Sequence, residues 1–386
     1  MVPHPLAYST NLHAAETATD IALALVRFAG PLRQQLGWDR LGVDLRLSST
    51  ALAGDLGQLR RTLDVHRLSA HTLNGFPLRP FQAKRVKEDA YLPDWSEAQR
   101  LEDSLRLIDA ALLLCDEAEV TVSTCPGSFR PLGAGRNDAR VFARALGTWA
   151  AAAHRAKARC GRSVVLCPEP EPWCLLETSW DVAAFWAGPL AVDGVAAAAA
   201  ALDGDRAAGR AAVAGQLAVC VDTCHLSLAF EDQAAAVARM AAAGARIAKV
   251  QVSAAPQADA RDGGQMAALA AMAEPRFLHQ SACSDGRGSL ARCVDLDGLG
   301  EAQARLPTAM LARSHFHVPI DAARLGNGLG TTASESRAGL IACLAAGCVH
   351  VAVETYTWPL LAADEAARRD GTARELATLQ AWCDES

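Results

Sequence analysis

Glu169, Asp222, His317 and Glu354 stand at or just past the ends of short hydrophobic runs. The runs are Val165-Leu166-Cys167-Pro168-Glu169, Val219-Cys220-Val221-Asp222-Thr223-Cys224-His225, Ser314-His315-Phe316-His317 and Val351-Ala352-Val353-Glu354. A buried strand gains by being apolar, and a carboxylate or imidazole at its exit is costly unless paired, hydrated or coordinated. Four such exits in succession suggest convergence on one face of a parallel barrel, around a divalent metal.

The neighbours of these residues carry further chemistry. Prolines on both sides of Glu169 and Glu171 stop regular structure and fix where the carboxylates point; the same pattern also suits a rigid surface turn. Glu171 either orients substrate or faces water. Asp222 and His225 form Asp-x-x-His at a strand exit, so that both can reach one ligand; the alternative is an Asp capping the next helix. Gln251 ends Ile247-Ala248-Lys249-Val250, and its amide oxygen can ligate a hard cation or bond loop backbone. Lys249 is expected on the opposite face. His315 and His317 share one face of an expected strand, which suits a metal ligand beside a proton-transfer or substrate-binding imidazole. The small Ala352 beside Glu354 leaves room for a bound group. Gly328 and Gly330, in Leu325-Gly326-Asn327-Gly328-Leu329-Gly330-Thr331-Thr332, either expose backbone N–H groups to an anion or make a flexible turn. Their spacing matches neither the P-loop nor the dinucleotide fingerprint.

Alternating strands and helices must position these residues. Candidate strands are Leu6–His13, Leu41–Leu47, Ser69–Phe76, Glu119–Cys125, Ser163–Glu169, Leu217–Asp222, Ile247–Ser253, Ser314–Ile320 and His350–Thr355. Leu101, Leu105, Ile108 and Leu112 make one helical stripe. Thr332-Ala333-Ser334-Glu335 reads as a capping box opening a helix through Ala345. The alternation predicts an α/β fold, a (β/α)8 TIM barrel forming one domain over residues 1–386. Nine candidates for eight places leave one strand outside the barrel. Ala254–Arg313 reads as an insertion with a hairpin (Arg276–Cys283 with Ser289–Val294) and a helix. Phe76–Trp95 is a second long excursion, and both are expected on the C-terminal face of the barrel.

Composition fits a soluble enzyme, with 51% hydrophobic and 21% charged residues among 386. A net charge of −6 and the lack of a basic stripe argue against nucleic acid as a partner. The 12 cysteines are scattered without CxxC pairing and are expected to be reduced thiols. Met1-Val2-Pro3-His4-Pro5 has no basic start or apolar signal core. No uninterrupted apolar segment reaches the roughly 20 residues that span a bilayer. The Ala-rich stretch from Val195 to Ala218 carries charges and reads as helix. A cytoplasmic protein is expected.

Taken together, Glu-Pro, Asp-x-x-His, His-x-His with a Gly-rich loop, and a strand-end Glu resemble the xylose isomerase-like TIM barrels. That superfamily includes hydroxypyruvate isomerase, tagatose and psicose 3-epimerases, inosose dehydratase and endonuclease IV. The resemblance implies metal ligation by Glu169, Asp222, His317 and Glu354, with the two glutamates doubling as acid and base and His225 contacting substrate. A closer resemblance is to the EboE family of metabolite-traffic TIM barrels. It rests on Asn11-Leu12-His13, Thr72-Leu73-Asn74-Gly75-Phe76-Pro77 through Val86-Lys87-Glu88 to Pro93-Asp94-Trp95, Pro168-Glu169-Pro170-Glu171-Pro172, Asp222-Thr223-Cys224-His225, Lys249-Val250-Gln251-Val252-Ser253, His315-Phe316-His317-Val318-Pro319 and Val353-Glu354-Thr355-Tyr356-Thr357-Trp358. Asn74, Glu171, His315, Gly328 and Gly330 are then expected to bind substrate. One departure is that Gln251 occupies the strand after Asp-x-x-His, where the epimerases place His-x-His, so Gln251 and His317 compete as a ligand.

The expected function is a divalent-metal (Mn, Mg or Zn) isomerase or epimerase. Its substrate would be a sugar, sugar phosphate or related polyhydroxylated carbonyl metabolite of an Ebo-type pathway. The alternatives are a non-catalytic metabolite-binding or scaffold barrel docking other Ebo proteins, and an endonuclease IV-like phosphodiesterase, against which the negative charge argues.

Overall fold

The computed structural model describes residues 5–385. The N-terminal segment read for a signal core falls mostly on residues 1–4, outside the described residues. Seven parallel strands come in succession: β1 (Ala7–Ser9), β2 (Leu41–Arg46), β3 (Leu68–Asn74), β4 (Glu119–Thr124), β5 (Ser163–Pro168), β6 (Val219–Asp222) and β7 (Ile247–Val252). Five short strands follow: β8 (Pro256–Asp259), β9 (Ser281–Ser284), β10 (Leu290–Cys293), β11 (Leu311–Ser314) and β12 (Gly330–Thr331). β13 (His350–Val353) returns to the barrel, whose order is β5-β4-β3-β2-β1-β13-β7-β6. A parallel bridge from Leu166 to Leu217, with Ala218 N–H donating to Leu166 O at 3.0 Å, links β5 to the approach of β6 and brings the ring round. The α/β barrel expected from the alternation is present.

The surplus strand is the His-x-His segment. β11 ends at Ser314 and pairs antiparallel with β8 and β9 in a separate sheet of order β10-β9-β11-β8-β12. His315–Ile320 is irregular chain, pinned by His315 N–H to Gln280 O at 2.7 Å and by a Val318–Ala254 bridge. The apolar residues there bury without a barrel ladder, and Pro319 has no N–H to offer one. His317 therefore does not stand at a barrel-strand exit; Gln251 does. The insertion also runs further than expected, to Thr331 rather than Arg313, and contains the β9–β10 hairpin.

Register explains the site. Asp222 pairs with Gln251, and Gln251 with Ala352, so three neighbouring strands end at one level. Lys249 lies two residues before Gln251 and shares its inward face, as the two-residue period of a strand requires. The expectation that it faces away is wrong. Its Nζ donates to Asp44 Oδ2 and Ser123 Oγ, each at 2.9 Å, inside the barrel. The helix Ala333–Ala345 forms, but not through a capping box: Thr332 is not extended, its Oγ1 accepts from Ala255 N–H at 2.9 Å, and Glu335 pairs with Arg313.

Among the described residues, one helical run, Ser179–Ala201, is long and apolar enough by length and composition to cross a membrane. It packs on the helix Ala139–Cys160, where Gly147 meets Gly194, and Asp193 within it pairs with Arg140 and Arg144. It belongs to the β5-to-β6 crossover. All 12 cysteines are free thiols, ten of them buried.

Candidate metal centre

Glu169, Asp222 and Glu354 follow or end β5, β6 and β13, and all three are buried. Glu354 Oε1 accepts from Asn11 Nδ2 at 2.6 Å, Asn74 Nδ2 at 3.2 Å and Ser9 Oγ at 3.4 Å. The Gln251 amide nitrogen lies between two carboxylates, donating to Glu169 Oε1 at 3.0 Å and closely to Glu354 Oε2. Asp222 Oδ1 accepts from Cys224 N–H at 2.7 Å and His225 N–H at 3.1 Å, so Asp222 does cap the helix Thr223–Leu228. Its Oδ2 has only a 3.5 Å contact to Ser253 Oγ and is left for a ligand. The two readings of Asp222 are thus compatible, one oxygen for each.

This cluster is electrostatically unfavourable by itself. Burial, followed by the charges of Glu354, Asp222 and Glu171, pushes Glu169 well above the usual carboxylate range. Burial, then Asp222 and Asp44, does the same to Glu354. Lys249, one layer deeper, opposes both shifts. A donor set of closely spaced buried carboxylates, with imidazoles in reach, fits a divalent cation that would offset the repulsion. Glu169, Asp222 and His225 each present a donor atom within 4.8 Å of the others, and so do Asp222, Cys224 and His317.

The imidazoles form the adjoining wall. His225 Nε2 is 3.0 Å from His315 Nε2, which is 3.2 Å from His317 Nε2. Burial lowers His317 to about 4; burial, then the neighbouring His225 and His317, holds His315 well below the ordinary histidine range. Burial also opposes charge on His225, but Asp222 and Glu171 outweigh it and raise the group. Glu171 lies 3.5 Å from His225 Nε2, accepts from Tyr91 OH at 3.1 Å, and is pushed by burial to about 7.

A pocket of about 510 Å³ opens over this floor. Glu169, Glu171, His225, His315, His317, Glu354, Asn11 and Asn74 line its polar end. Phe76, Phe81, Val86, Tyr91, Phe277 and Tyr356 supply much of its apolar surface, from the 76–95 excursion, the insertion and the chain after β13. Of the expected site residues, Glu169, Glu171, Asn74, His225, Gln251, His315, His317 and Glu354 are brought together, with Asp222 just behind. Gly328 and Gly330 are not. The Gly328 and Leu325 N–H groups are spent within a tight turn, and Gly330 pairs with Gln257 of β8, so no anion cradle forms there. Tyr91, Gln280, Ser9 and Lys249 were not singled out as site residues by sequence. Tyr91 lies in a long excursion, Ser9 and Gln280 lie in expected strands without an assigned inward face, and Lys249 is the residue whose expected face is corrected above.

No protein-family model matches the chain, and no curated protein matches it. Among solved structures it is similar to a D-allulose 3-epimerase from Methylomonas sp., at 13% identity over 99% of both chains with a TM-score of 0.49. It is similar to a xylose isomerase domain protein from Planctomyces limnophilus, at 11% identity over 99% and 98% of the two chains with a TM-score of 0.48. An L-ribulose 3-epimerase structure overlaps 64% of this chain and 68% of its own, at 16% identity and a TM-score of 0.40. Likenesses this loose carry no chemistry; the barrel rests on its own strand pairing and the site on its own geometry.

Proposed function

We propose that the protein is a divalent-metal-dependent isomerase or epimerase of a polyhydroxylated carbonyl compound: a sugar, a sugar phosphate or a related metabolite. The observation that carries this is the pair Glu169 and Glu354, bridged by one Gln251 amide at the floor of the pocket. Two carboxyls that flank one site and hold protons more tightly than usual suit proton removal at one carbon and proton return at another. A divalent cation, when bound, would supply Lewis acidity that stabilises the negative charge left when the proton is removed.

Glu169, Asp222 and Glu354 would hold the cation, with Gln251 or His317 as a further donor. Asn11, Asn74 and Ser9 fix the Glu354 carboxylate through Oε1, and Gln251 holds Oε2. Glu171 binds hydroxyl groups beside the imidazole wall, and the aromatic rim excludes water. The motifs shared with the EboE family support a place for this reaction in metabolite traffic, with a small molecule as the partner.

The test is solvent-deuterium incorporation next to the carbonyl, followed by proton NMR, for the Mn²⁺-loaded protein and a panel of ketoses, ketose phosphates and cyclitol ketones. Incorporation by the wild type that is lost in Glu354→Gln supports the reading. Equal incorporation by the variant, or none from any panel member, overturns it.

A further inference from the structure

We infer that His225, His315 and His317 form a second metal site, a three-histidine zinc centre beside the carboxylate cluster. The inference rests on which ring nitrogens carry hydrogen. His225 Nδ1 is 2.8 Å from the Pro170 carbonyl oxygen, and His317 Nδ1 is 2.6 Å from the Glu354 carbonyl oxygen. Each of these partners can only accept, so each Nδ1 must carry the proton. His315 Nδ1 is 2.7 Å from Gln280 Oε1. The Gln280 amide is oriented by its other end: Nε2 donates to Tyr91 OH at 2.8 Å, and that hydroxyl donates to Glu171 Oε1 at 3.1 Å. The chain from Glu171 through Tyr91 and Gln280 therefore makes His315 Nδ1 a donor as well.

In their neutral form, the imidazoles protonated at Nδ1 leave three bare Nε2 lone pairs. The Glu171 carboxylate stands 3.5 Å from that of His225, so a positive centre, metal ion or proton, is called for among them. These lone pairs point at one another, at 3.0 Å and 3.2 Å for the two measured pairs, and all three nitrogens lie within 4.8 Å. Without a cation or an added proton between them, no hydrogen bond joins these nitrogens, and the arrangement is repulsive. Zinc–nitrogen bonds of about 2.0–2.1 Å in a tetrahedron place two such nitrogens about 3.3–3.4 Å apart, close to what the rings show. Zinc-binding histidines also characteristically donate their other N–H to a carbonyl or carboxylate, as all three do here.

All three rings line the pocket, so a fourth position would face its interior, as in catalytic rather than structural zinc sites. The site takes a borderline-soft cation at nitrogen, whereas the carboxylate cluster suits a hard one. With this centre filled, His317 would be engaged with the imidazole set, and Gln251 would remain beside the carboxylates. The inference does not depend on the isomerase reading.

The test is Zn²⁺ and Co²⁺ binding by the metal-stripped full chain, with the carboxylate site first filled with Mn²⁺. One equivalent of Co²⁺ should bind with the visible absorption of a tetrahedral nitrogen site, and His315→Ala should lose that band while still binding Mn²⁺. Gln280→Ala, which leaves the three rings in place but frees one, should weaken Zn²⁺ about 10–100-fold. In the unmodified chain, nitrogen-15 NMR should show three Nε2 resonances moving on Zn²⁺ addition. Binding that survives His315→Ala unchanged, Nε2 signals that ignore zinc, or a wild type that binds no Zn²⁺ or Co²⁺ overturns the inference. The last two results would instead assign an added proton as the occupant.

Discussion

Residue identity alone does not set the role of Glu354; its surroundings do. Three donors converge on its Oε1, so the carboxylate is held in one orientation before substrate arrives. General acid–base catalysis contributes roughly 10²–10⁴-fold, and Glu354→Gln is expected to lose at least that in turnover with an unchanged circular-dichroism spectrum. Asn74 contributes one hydrogen bond to a charged group, worth about 1.5–3 kcal/mol. Asn74→Ala should therefore lower kcat by about ten- to a hundredfold with little change in KM, as steady-state kinetics would show. The strand-exit carboxylates were legible in the sequence because a buried strand ending in a charge stands out. Tyr91 and Gln280 were not, since a polar residue in a long excursion or an insertion hairpin looks the same whether it faces water or a pocket.

Barrel strands read well wherever an apolar run was continuous, and β2, β4, β5 and β7 lie within a residue or so of their expected bounds. The His-x-His segment failed because a short apolar run cannot reveal whether a ladder partner exists. The buried pair Lys249–Asp44 ties β7 to β2, and Ser123 adds β4. Burial works against the Lys249 ammonium, but Asp44 outweighs it and holds it above the ordinary lysine range. Removing one partner of such a pair typically costs about 3–5 kcal/mol. Lys249→Met should lower the urea midpoint accordingly, and Lys249→Met with Asp44→Leu should recover much of the loss. Between helices, a Cβ on Gly147 would lie 2.1 Å from the Gly194 carbonyl oxygen. Gly147→Ala is expected to destabilise by about 1–3 kcal/mol, read from the same denaturation curves.

Across the whole molecule, the insertion and the barrel cannot be assigned separate roles. The barrel supplies the carboxylates, while the insertion supplies Gln280, His315 and His317 and part of the aromatic rim. Charge burial at this junction sets how stability depends on pH. In the metal-free protein Glu171 and Glu375 are each raised from 4.5 to about 7, mainly by burial. Carboxyls raised on folding stabilise fully below their unfolded value, and that contribution is lost as pH rises through about 7. Buried His315 and His317, held below the ordinary histidine range, oppose this at lower pH. Above roughly pH 6.5 they are neutral in both states, so the Tm of metal-free protein should fall from about pH 6.5 to about pH 8, and Mn²⁺ should raise it more at the alkaline end. Thermal melts with Mn²⁺ and with a chelator would show this.

The central claim, a hard-cation site built by three strand-exit carboxylates, is tested most directly by Mn²⁺ content. Purified wild type, Asp222→Ala and Glu354→Ala are loaded with Mn²⁺, desalted, and measured by elemental analysis and electron paramagnetic resonance. The expected result is one retained Mn²⁺ per wild-type chain and none in either folded variant. A wild type that retains no Mn²⁺, or variants that retain it equally, would contradict the claim.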